Sequence, residues 1–256
     1  MIVIIMAGGL GKRMESDLPK VLHHVIDPSN TNVKYPMLIH VINTSIKLNP
    51  IKIFVIVGKY KNIIEETINK YINSNNLIEY VMQEPALGTA HAIKCSLPYI
   101  VQYSNERAII LSGDVPLISV NTLLGLNSET NKILITELDN PYGCGRILFD
   151  DSTNTNKIIG IREEKDCNDD ERKINFVNCG IYQISVKDLI NLIPQISNEN
   201  KSNEYYLTDI IHLMIQNSIA IDTFILEKCY QWEIKNVNTK KDLEILNECI
   251  KINTIV

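Results

Sequence analysis

IVIIMAGGLGKRMESDLPK, residues 2–20, joins an apolar run to a glycine turn that carries basic side chains. The run IVIIMA is rich in β-branched residues and predicts a buried strand, with Gly9 and Gly11 in the turn that follows. Backbone N–H groups of this turn, together with cations such as Arg13 and Lys20, could surround a triphosphate or a pyrophosphate. Taken alone, the same pattern fits a simple connection equally well, so both interpretations stay open.

Neither of the two common phosphate-binding loops fits this turn. The dinucleotide fingerprint G-x-G-x-x-G fails because Met14 stands at the third glycine position. The Walker loop fails because Met6 replaces its first glycine and Arg13 follows Lys12, where serine or threonine is required. The turn therefore predicts a phosphate site of another kind, or none.

Composition limits the classes of function. With 256 residues, 45% hydrophobic and 21% charged, the chain predicts one large or two closely packed globular units. A net charge of -5 argues against nucleic acid or a membrane surface as partner. The amino terminus shows no basic leader and no span long enough for a bilayer, so we expect a cytoplasmic protein. Six cysteines without paired spacing predict free thiols.

Apolar runs alternate with helical patterns in the first half of the chain, as in parallel strands joined by crossover helices. The predicted strands there are IVIIMA, KIFVIVG, IEYVMQ and RAIILSGD, and the predicted helices are NIIEETINKYI and LGTAHAIKCSL. From Lys132 the strand-like segments KILITEL, GRILF, KIIGIRE and NFVNCGIYQI follow, with turns at DNPYG and DDSTNTN, and then helices at YYLTDIIHLMIQN and TKKDLEILNECIKI. These patterns predict an α/β fold: a Rossmann-like, mostly parallel mixed sheet flanked by helices, with a smaller mixed-sheet lobe.

Nine short segments occur in an order that is similar to one enzyme family. They are AGGLGKRM, SDLPKVL, QEPALGTAHA, LSGDVPLIS, GCGRI, REEKD, NCGIY, NEYYLTDI and NVNTKKDL. The set resembles the sugar-1-phosphate nucleotidyltransferases, and most closely their uridylyltransferases that make UDP-N-acetylglucosamine. The resemblance implies a single nucleotidyltransferase domain over 1–256, with a nucleotide part at 1–130, a sugar part at 131–230, and a metal-contact segment with the last helix at 231–256.

Bifunctional members of that family continue into a left-handed β-helix acetyltransferase domain. The chain shows no hexapeptide repeat, so we expect the uridylyltransferase part alone. Trimerisation of the bifunctional members depends on the second domain, so the expected state here is a monomer or a weak dimer.

The resemblance implies that UTP reacts with N-acetylglucosamine 1-phosphate and releases pyrophosphate by in-line displacement. Gly9, Gly11 and Arg13 would hold the triphosphate. Arg13 would stabilise the departing pyrophosphate, and Lys20 would pair with the reacting phosphates. These roles suit the residue types, because arginine grips phosphate as a fork and lysine supplies a point charge.

The resemblance also implies a Mg²⁺ site made by Asp114 and Asn238. A carboxylate and an amide oxygen, completed by phosphates and water, form a typical partial magnesium shell. Without the resemblance, Asp114 would be a turn residue before Pro116 and Asn238 the N-cap of the last helix. The match of both residues together favours the metal site.

Eight further residues match positions that bind substrate in the family. They are Gln83 and Gly88 on uracil, Thr89 beside the nucleoside, Gly145, Glu163 and Asn178 on the sugar, and Tyr206 and Thr208 on the acetamido side. Amides and carboxylates suit such contacts, because they exchange hydrogen bonds with base edges and sugar hydroxyls. Packing at a helix start is the alternative for Tyr206 and Thr208.

Departures from the family pattern leave other substrates open. Lys12 replaces a usual threonine, Ala86 a glutamine, Ser112 an aromatic residue and Asn236 a glycine, and DPSNTNVKYPM is longer than the usual turn. One alternative is a related enzyme that uses glucose 1-phosphate or dTTP. Another is a nucleotide-sugar sensor without catalysis on the same fold.

Overall fold

A computed structural model describes residues 1–9, 11–73, 76–150 and 157–252. The predicted turn DDSTNTN lies mostly on residues 151–156, outside the described residues. The strands are β1 (Ile2–Met6), β2 (His24–Asp27), β3 (Asn30–Pro36), β4 (Ile53–Val57), β5 (Ile78–Met82), β6 (Arg107–Ser112), β7 (Asn131–Glu137), β8 (Arg146–Phe149), β9 (Ile158–Arg162), β10 (Phe176–Ser185) and β11 (Ile221–Ile225). The helices are α1 (Met37–Ile46), α2 (Lys61–Tyr71), α3 (Thr89–Ile100), α4 (Val120–Leu126), α5 (Val186–Leu192), α6 (Asp209–Gln216) and α7 (Lys240–Lys251).

Nine strands form one central sheet. Seven of them follow the order β11-β7-β10-β6-β1-β4-β5, and the β8–β9 hairpin attaches to β10. Along this path β10 is antiparallel to its neighbours β6 and β7, whereas the other pairs are parallel. The predicted fold class, a mostly parallel mixed sheet flanked by helices, is confirmed.

The predicted smaller lobe is one end of the same sheet. β7, β10 and β11 continue from β6, and the β8–β9 hairpin projects from that end. β10 comes later in the chain than β7, yet it lies between β6 and β7. The nucleotide part at 1–130 and the sugar part at 131–230 therefore share a continuous sheet, and their division remains a prediction.

The core lies on both faces of the sheet, because side chains alternate along each strand. Ile2 and Ile4 of β1 pack in the cluster that includes α3, α5 and α6. Val3 and Ile5 pack in the cluster that includes α1, α2 and α4. All four side chains are fully buried, so β1 is a central strand of the kind that its unbroken apolar run predicts.

Two parts of the structure differ from the sequence predictions. The long segment DPSNTNVKYPM forms the turn and second strand of the β2–β3 hairpin, which pairs antiparallel and packs against α7. The predicted helix YYLTDIIHLMIQN begins only at Asp209, because the residues before it form a turn. The longest helices, α3 and α7, have 12 residues, so no helix in the described part of the chain could cross a bilayer.

Candidate active site

The candidate site lies at the carboxyl ends of β1 and β6, which are parallel neighbours in the sheet. β1 lies between β4, the next strand of the sheet along the chain, and β6, which comes later, so the order of strands reverses at β1. Ligands bind at such switch points in open α/β sheets. The glycine turn follows β1, and Asp114 follows β6. Gly11 has φ +59°, and a Cβ there would lie 2.7 Å from Cβ of Lys20. Glycine thus allows the turn to touch Lys20.

Four predicted site residues form one polar cluster. The Lys20 ammonium pairs with the Asp114 carboxylate and donates to Asn238 Oδ1 at 3.1 Å. Arg13 Nη2 donates to the same Asn238 oxygen at 3.0 Å. The hydroxyl of Ser112 donates to the other oxygen of Asp114 at 2.5 Å. Residues predicted as catalytic and as metal-binding therefore lie in direct contact.

Asn238 is held in place by its neighbours in the chain. The backbone N–H of Val237 donates to the backbone oxygen of Asp114 at 3.1 Å. Thr239, not Asn238, is the N-cap of α7 and forms a capping box with Asp242, so the alternative prediction for Asn238 is wrong. Burial alone would raise the pKa of Asp242, but hydrogen bonds from Thr239 and Asn238 lower it overall. The cap thus fixes Asn238 one residue before the N-cap of the helix.

A cavity of about 420 Å³ lies on the β4–β5 side of the cluster. The predicted residues that line it are Gly9, Gly11, Lys20, Gln83, Gly88, Thr89 and Asp114. Gln83 is 6% exposed, and its Nε2 donates to the backbone oxygen of Gly88 at 2.9 Å. One side of this amide is thus occupied within the protein.

The loop before α3 packs closely on the loop before α6. Gly88 has φ +118°, and a Cβ there would lie 2.5 Å from the backbone oxygen of Tyr205. Ala90 N–H donates to that oxygen at 2.8 Å, and Leu207 N–H donates to the Thr89 hydroxyl at 2.9 Å. Only glycine permits this approach, which joins the predicted nucleotide loop to the predicted sugar loop.

A second cavity of about 570 Å³ lies on the β8–β10 side. The predicted residues that line it are Thr89, Asp114, Gly145, Glu163, Asn178 and Thr208. Met6, Thr89, Ser112 and Asp114 line both cavities. The two cavities therefore adjoin at the polar cluster, with the predicted nucleotide residues on one side and the predicted sugar residues on the other.

Glu163 and Asn178 are preorganised inside the second cavity. Thr208 donates to Glu163 Oε1 at 2.9 Å, and burial raises the pKa of Glu163 despite this hydrogen bond. Nearby carboxylates, with Asp209 the first among them, raise it further. Asn178 Nδ2 donates to the Tyr182 hydroxyl at 2.7 Å, and Asn178 Oδ1 accepts from the N–H of Gly180 at 2.9 Å. Both side chains are thus fixed before any ligand binds.

Some predicted residues lie apart from the cavities. Tyr206 is half-buried and lines neither cavity, and Arg13 is exposed and joins the cluster through its hydrogen bond to Asn238. The side chain of Lys12 lies outside what the structure describes. Glu204, which the sequence did not single out, lines the first cavity. Its position in the turn before α6 carries no periodic signal that could have identified it.

Three of the departures from the family pattern lie at the cavities. Ala86 lines the first cavity, Asn236 the second, and Ser112 both. Ser112 is also hydrogen-bonded to Asp114, so a small hydroxyl at this position orients the carboxylate. Sequence reasoning noted the change but not this role.

Comparisons with known proteins give consistent results. Residues 2–234 match the Nucleotidyl transferase family. A "Probable UDP-N-acetylglucosamine pyrophosphorylase" of Acanthamoeba polyphaga mimivirus is 44% identical, over 97% of this chain and 96% of that protein. The "Bifunctional protein GlmU" of Nitrosomonas eutropha is 38% identical, over 95% of this chain and 50% of that protein. The chain thus spans about half the length of the GlmU relatives.

A solved structure agrees at the level of the fold. The inositol-1-phosphate CTP transferase from T. maritima superimposes with a TM-score of 0.70, covering 98% of this chain and 96% of that chain at 17% identity. The family match covers most of the sequence, and the relatives align along nearly all of it. This protein belongs to the nucleotidyl transferase family.

Proposed function

We propose that this protein transfers the uridylyl group of UTP to N-acetylglucosamine 1-phosphate and forms UDP-N-acetylglucosamine and pyrophosphate. The observation that carries the proposal is the pair of adjoining cavities with Asp114 at their junction, where Lys20 contacts both Asp114 and Asn238. The names of the mimivirus and GlmU relatives support the choice of substrates. Two ligands placed in these cavities would meet at the charged cluster, as a two-substrate transfer requires.

The reaction needs positioning and charge neutralisation. A phosphate oxygen of the sugar phosphate forms a bond to the α-phosphorus of UTP while the bond between the α- and β-phosphates breaks, and pyrophosphate leaves with that electron pair. Lys20 lies at the junction, where both reacting phosphates would be, and its ammonium would offset their repulsion. Arg13, which is exposed and hydrogen-bonded to Asn238, would bind the pyrophosphate.

The family generally uses a divalent metal ion, and we propose that the ion here is Mg²⁺. Asp114 and Asn238 would hold it, because one oxygen of each already contacts a single cation, the Lys20 ammonium. A hard carboxylate oxygen and an amide oxygen are suitable magnesium ligands. The bound ion would neutralise phosphate charge. The ammonium would then be released from these oxygens to pair with the phosphates.

The cavities divide the remaining recognition between them. In the first cavity, Gln83 and the backbone at Gly88 would bind uracil, and Thr89 would lie beside the nucleoside. In the second, Gly145, Glu163, Asn178 and Thr208 would bind the sugar, while Tyr206 would act only from outside the cavity wall. Gly9 and Gly11 would direct backbone N–H groups at the triphosphate.

The proposal includes the setting of the enzyme. We expect a cytoplasmic monomer or weak dimer that binds neither nucleic acid nor membrane, in keeping with its net charge of -5. Size-exclusion chromatography with light scattering at several protein concentrations tests the oligomeric state. A stable trimer would contradict that part of the proposal.

The deciding experiment measures pyrophosphate release with Mg²⁺ while five nucleoside triphosphates are crossed with four sugar 1-phosphates. UTP with N-acetylglucosamine 1-phosphate should react fastest. Asp114→Asn should lower kcat by about 100-fold or more, because it removes charge at the reacting centre. Asp170→Asn, which changes an exposed carboxylate that pairs with Lys173, is the matched control and should leave kcat unchanged.

Other outcomes would overturn the proposal in defined ways. If glucose 1-phosphate or dTTP is preferred, the reaction class stands but the substrates are wrong. If no pair reacts while UDP-N-acetylglucosamine binds without metal, the protein is a sensor.

A further inference from the structure

Behind the wall of the second cavity, an ion pair joins the buried guanidinium of Arg146 to the carboxylate of Glu164, which is 20% exposed and has Arg172 Nε 4.0 Å from its Oε1. Arg146 is 2% exposed, and its Nη2 donates to Glu164 Oε2 at 2.8 Å. Neither side chain lines the cavity. The pair is therefore not placed to touch a substrate.

Strand register explains why the pair lies behind the wall. Arg146 pairs with Arg162 across the β8–β9 hairpin, so the next pair is Gly145 with Glu163. A Cβ on Gly145 would lie 3.6 Å from Cδ of Glu163, which confirms that these positions face each other. Side chains alternate along a strand, so Arg146 of β8 points away from the face on which Gly145 meets Glu163. Glu164, in the turn after β9, reaches Arg146 from there.

The ion pair also forms hydrogen bonds with the main chain of the cavity wall. Arg146 Nη1 donates to the backbone oxygen of Cys144, and Gly143 N–H donates to Glu164 Oε2 at 2.9 Å. Gly143, Cys144 and Gly145 all line the cavity. The two charged side chains thus hold the turn that forms one side of the predicted sugar site.

Stability alone does not account for this arrangement. Among the described residues, the buried Nε–H group of Arg146 has no hydrogen-bond partner, and an unmatched donor costs free energy. Packed apolar residues often replace a buried ion pair without loss of stability. What apolar residues cannot supply is the directed hydrogen bond to Cys144 and the acceptor for Gly143.

We propose that Arg146 and Glu164 are positioning residues that fix the Gly143–Gly145 segment against Glu163 for binding of the sugar phosphate. The inference rests on the proposed function. A displaced wall would weaken contacts to the sugar and leave the nucleotide cavity on the far side of Asp114 unchanged.

The test separates positioning from stability. Arg146→Met and Glu164→Leu are made singly and together, and Tm and both KM values are measured. Glu164→Leu should lower Tm more than Arg146→Met, because it leaves the buried Arg146 guanidinium without a carboxylate, whereas Glu164 is 20% exposed and keeps Arg172 at 4.0 Å. The double variant should recover much of the Tm that Glu164→Leu loses. The KM for N-acetylglucosamine 1-phosphate should stay raised about tenfold or more in the double variant, with the KM for UTP within about twofold of the wild type.

Arg162→Gln is the matched control, because Arg162 lies in β9 of the same hairpin and also forms an ion pair, with Glu171. Unlike Arg146, Arg162 is half-exposed. It should leave both KM values unchanged. If the KM for the sugar phosphate recovers together with Tm in the double variant, the pair is only structural and the inference fails.

A second readout does not depend on turnover. Calorimetry gives the dissociation constants of UDP and of UDP-N-acetylglucosamine. The Kd of UDP divided by the Kd of UDP-N-acetylglucosamine reports how much the sugar adds to binding. The double variant should reduce this ratio, whereas an unchanged ratio would refute the inference. If the wild-type chain uses another sugar phosphate, the proposed function fails, and the same KM comparison with that sugar still decides the role of the pair.

Discussion

Replacing Gly88 by alanine should loosen the loop before α3 and weaken UTP binding. The new Cβ would lie 2.5 Å from the backbone oxygen and 2.7 Å from the backbone nitrogen of Tyr205, and φ is +118°. Backbone strain of about 1–3 kcal/mol adds to overpacking of about 1–3 kcal/mol. Neither contact can be relieved by a side-chain rotation, because both are with main-chain atoms.

The alternative to strain is detachment of the loop. Three hydrogen bonds tie it down: Tyr205 N to Leu87 O at 2.9 Å, Ala90 N to Tyr205 O at 2.8 Å, and Leu207 N to Thr89 Oγ1 at 2.9 Å. At about 0.5–1.5 kcal/mol each, loss of these three hydrogen bonds costs about 1.5–4.5 kcal/mol. The loop should detach once the strain exceeds this cost, so Gly88→Ala should lower the free energy of unfolding by about 3 kcal/mol at most. For a chain of this size that lowers Tm by about 6–12 °C.

Thermal unfolding and the KM for UTP together test this prediction. The KM should rise about tenfold, because the detached loop removes part of the first cavity and the Gly88 oxygen that orients Gln83. Gly160→Ala is the control: its Cβ would lie 3.9 Å from Leu148 Cδ1, an ordinary contact, and Tm should change little. A Gly88→Ala protein with unchanged Tm and KM would refute the reasoning.

Three further predictions concern the cluster and its surroundings. Glu163→Gln should raise Tm at pH 7 and leave it unchanged below the ordinary carboxyl pKa of 4.5. Because the folded-state pKa of Glu163 is raised, the protonated carboxyl favours folding in acid, and this contribution is lost as the pH rises. At pH 7 the wild type therefore carries a cost that the neutral glutamine removes. Unfolding scans from pH 4 to pH 8 check the sign, and a larger gain in acid would contradict it. Thr239→Ala should lower the free energy of unfolding by about 1 kcal/mol and Tm by about 2–4 °C, because the capping box is lost. Thr239→Ser keeps the hydroxyl and should leave Tm unchanged. Equal Tm values for the two variants would show that the cap does not stabilise the protein. Lys20→Met should lower kcat by about 100-fold yet bind Mg²⁺ more tightly without nucleotide, because the ammonium no longer occupies the Asp114 and Asn238 oxygens. If calorimetric titration showed weaker Mg²⁺ binding by Lys20→Met than by the wild type, the ammonium and the ion would not compete for these two oxygens.

The parallel half of the fold could be predicted because its strands are unbroken apolar runs. Ile2–Met6 and Ile53–Val57 are buried on both faces, and such strands are visible in composition alone. The β2–β3 hairpin was missed because the segment NTNVKYP is mostly exposed and polar. The start of α6 was misplaced because Tyr205 and Leu207 are apolar but pack in a loop, where tertiary contacts override helical spacing.

The candidate site was predicted mainly by family resemblance. Position after a strand pointed to Asp114, but nothing local connects it with Asn238, which meets it through long-range folding. Arg146 carried no signal, since a basic residue in a strand ordinarily faces solvent. A sequence alone cannot reveal that its guanidinium turns inward to a backbone oxygen.

The place of β10 between β6 and β7 has a consequence for synthesis on the ribosome. The residues of β10 that pair with β6 are Tyr182–Ser185, so about 70 residues must be translated after Ser112 before the edge of β6 can be covered. At about 5–20 residues per second, this apolar edge stays open for roughly 4–14 s. An unpaired strand edge readily joins with another chain. We therefore expect nascent chains stalled between residues 113 and 181 to be the most prone to aggregation and the most dependent on chaperones.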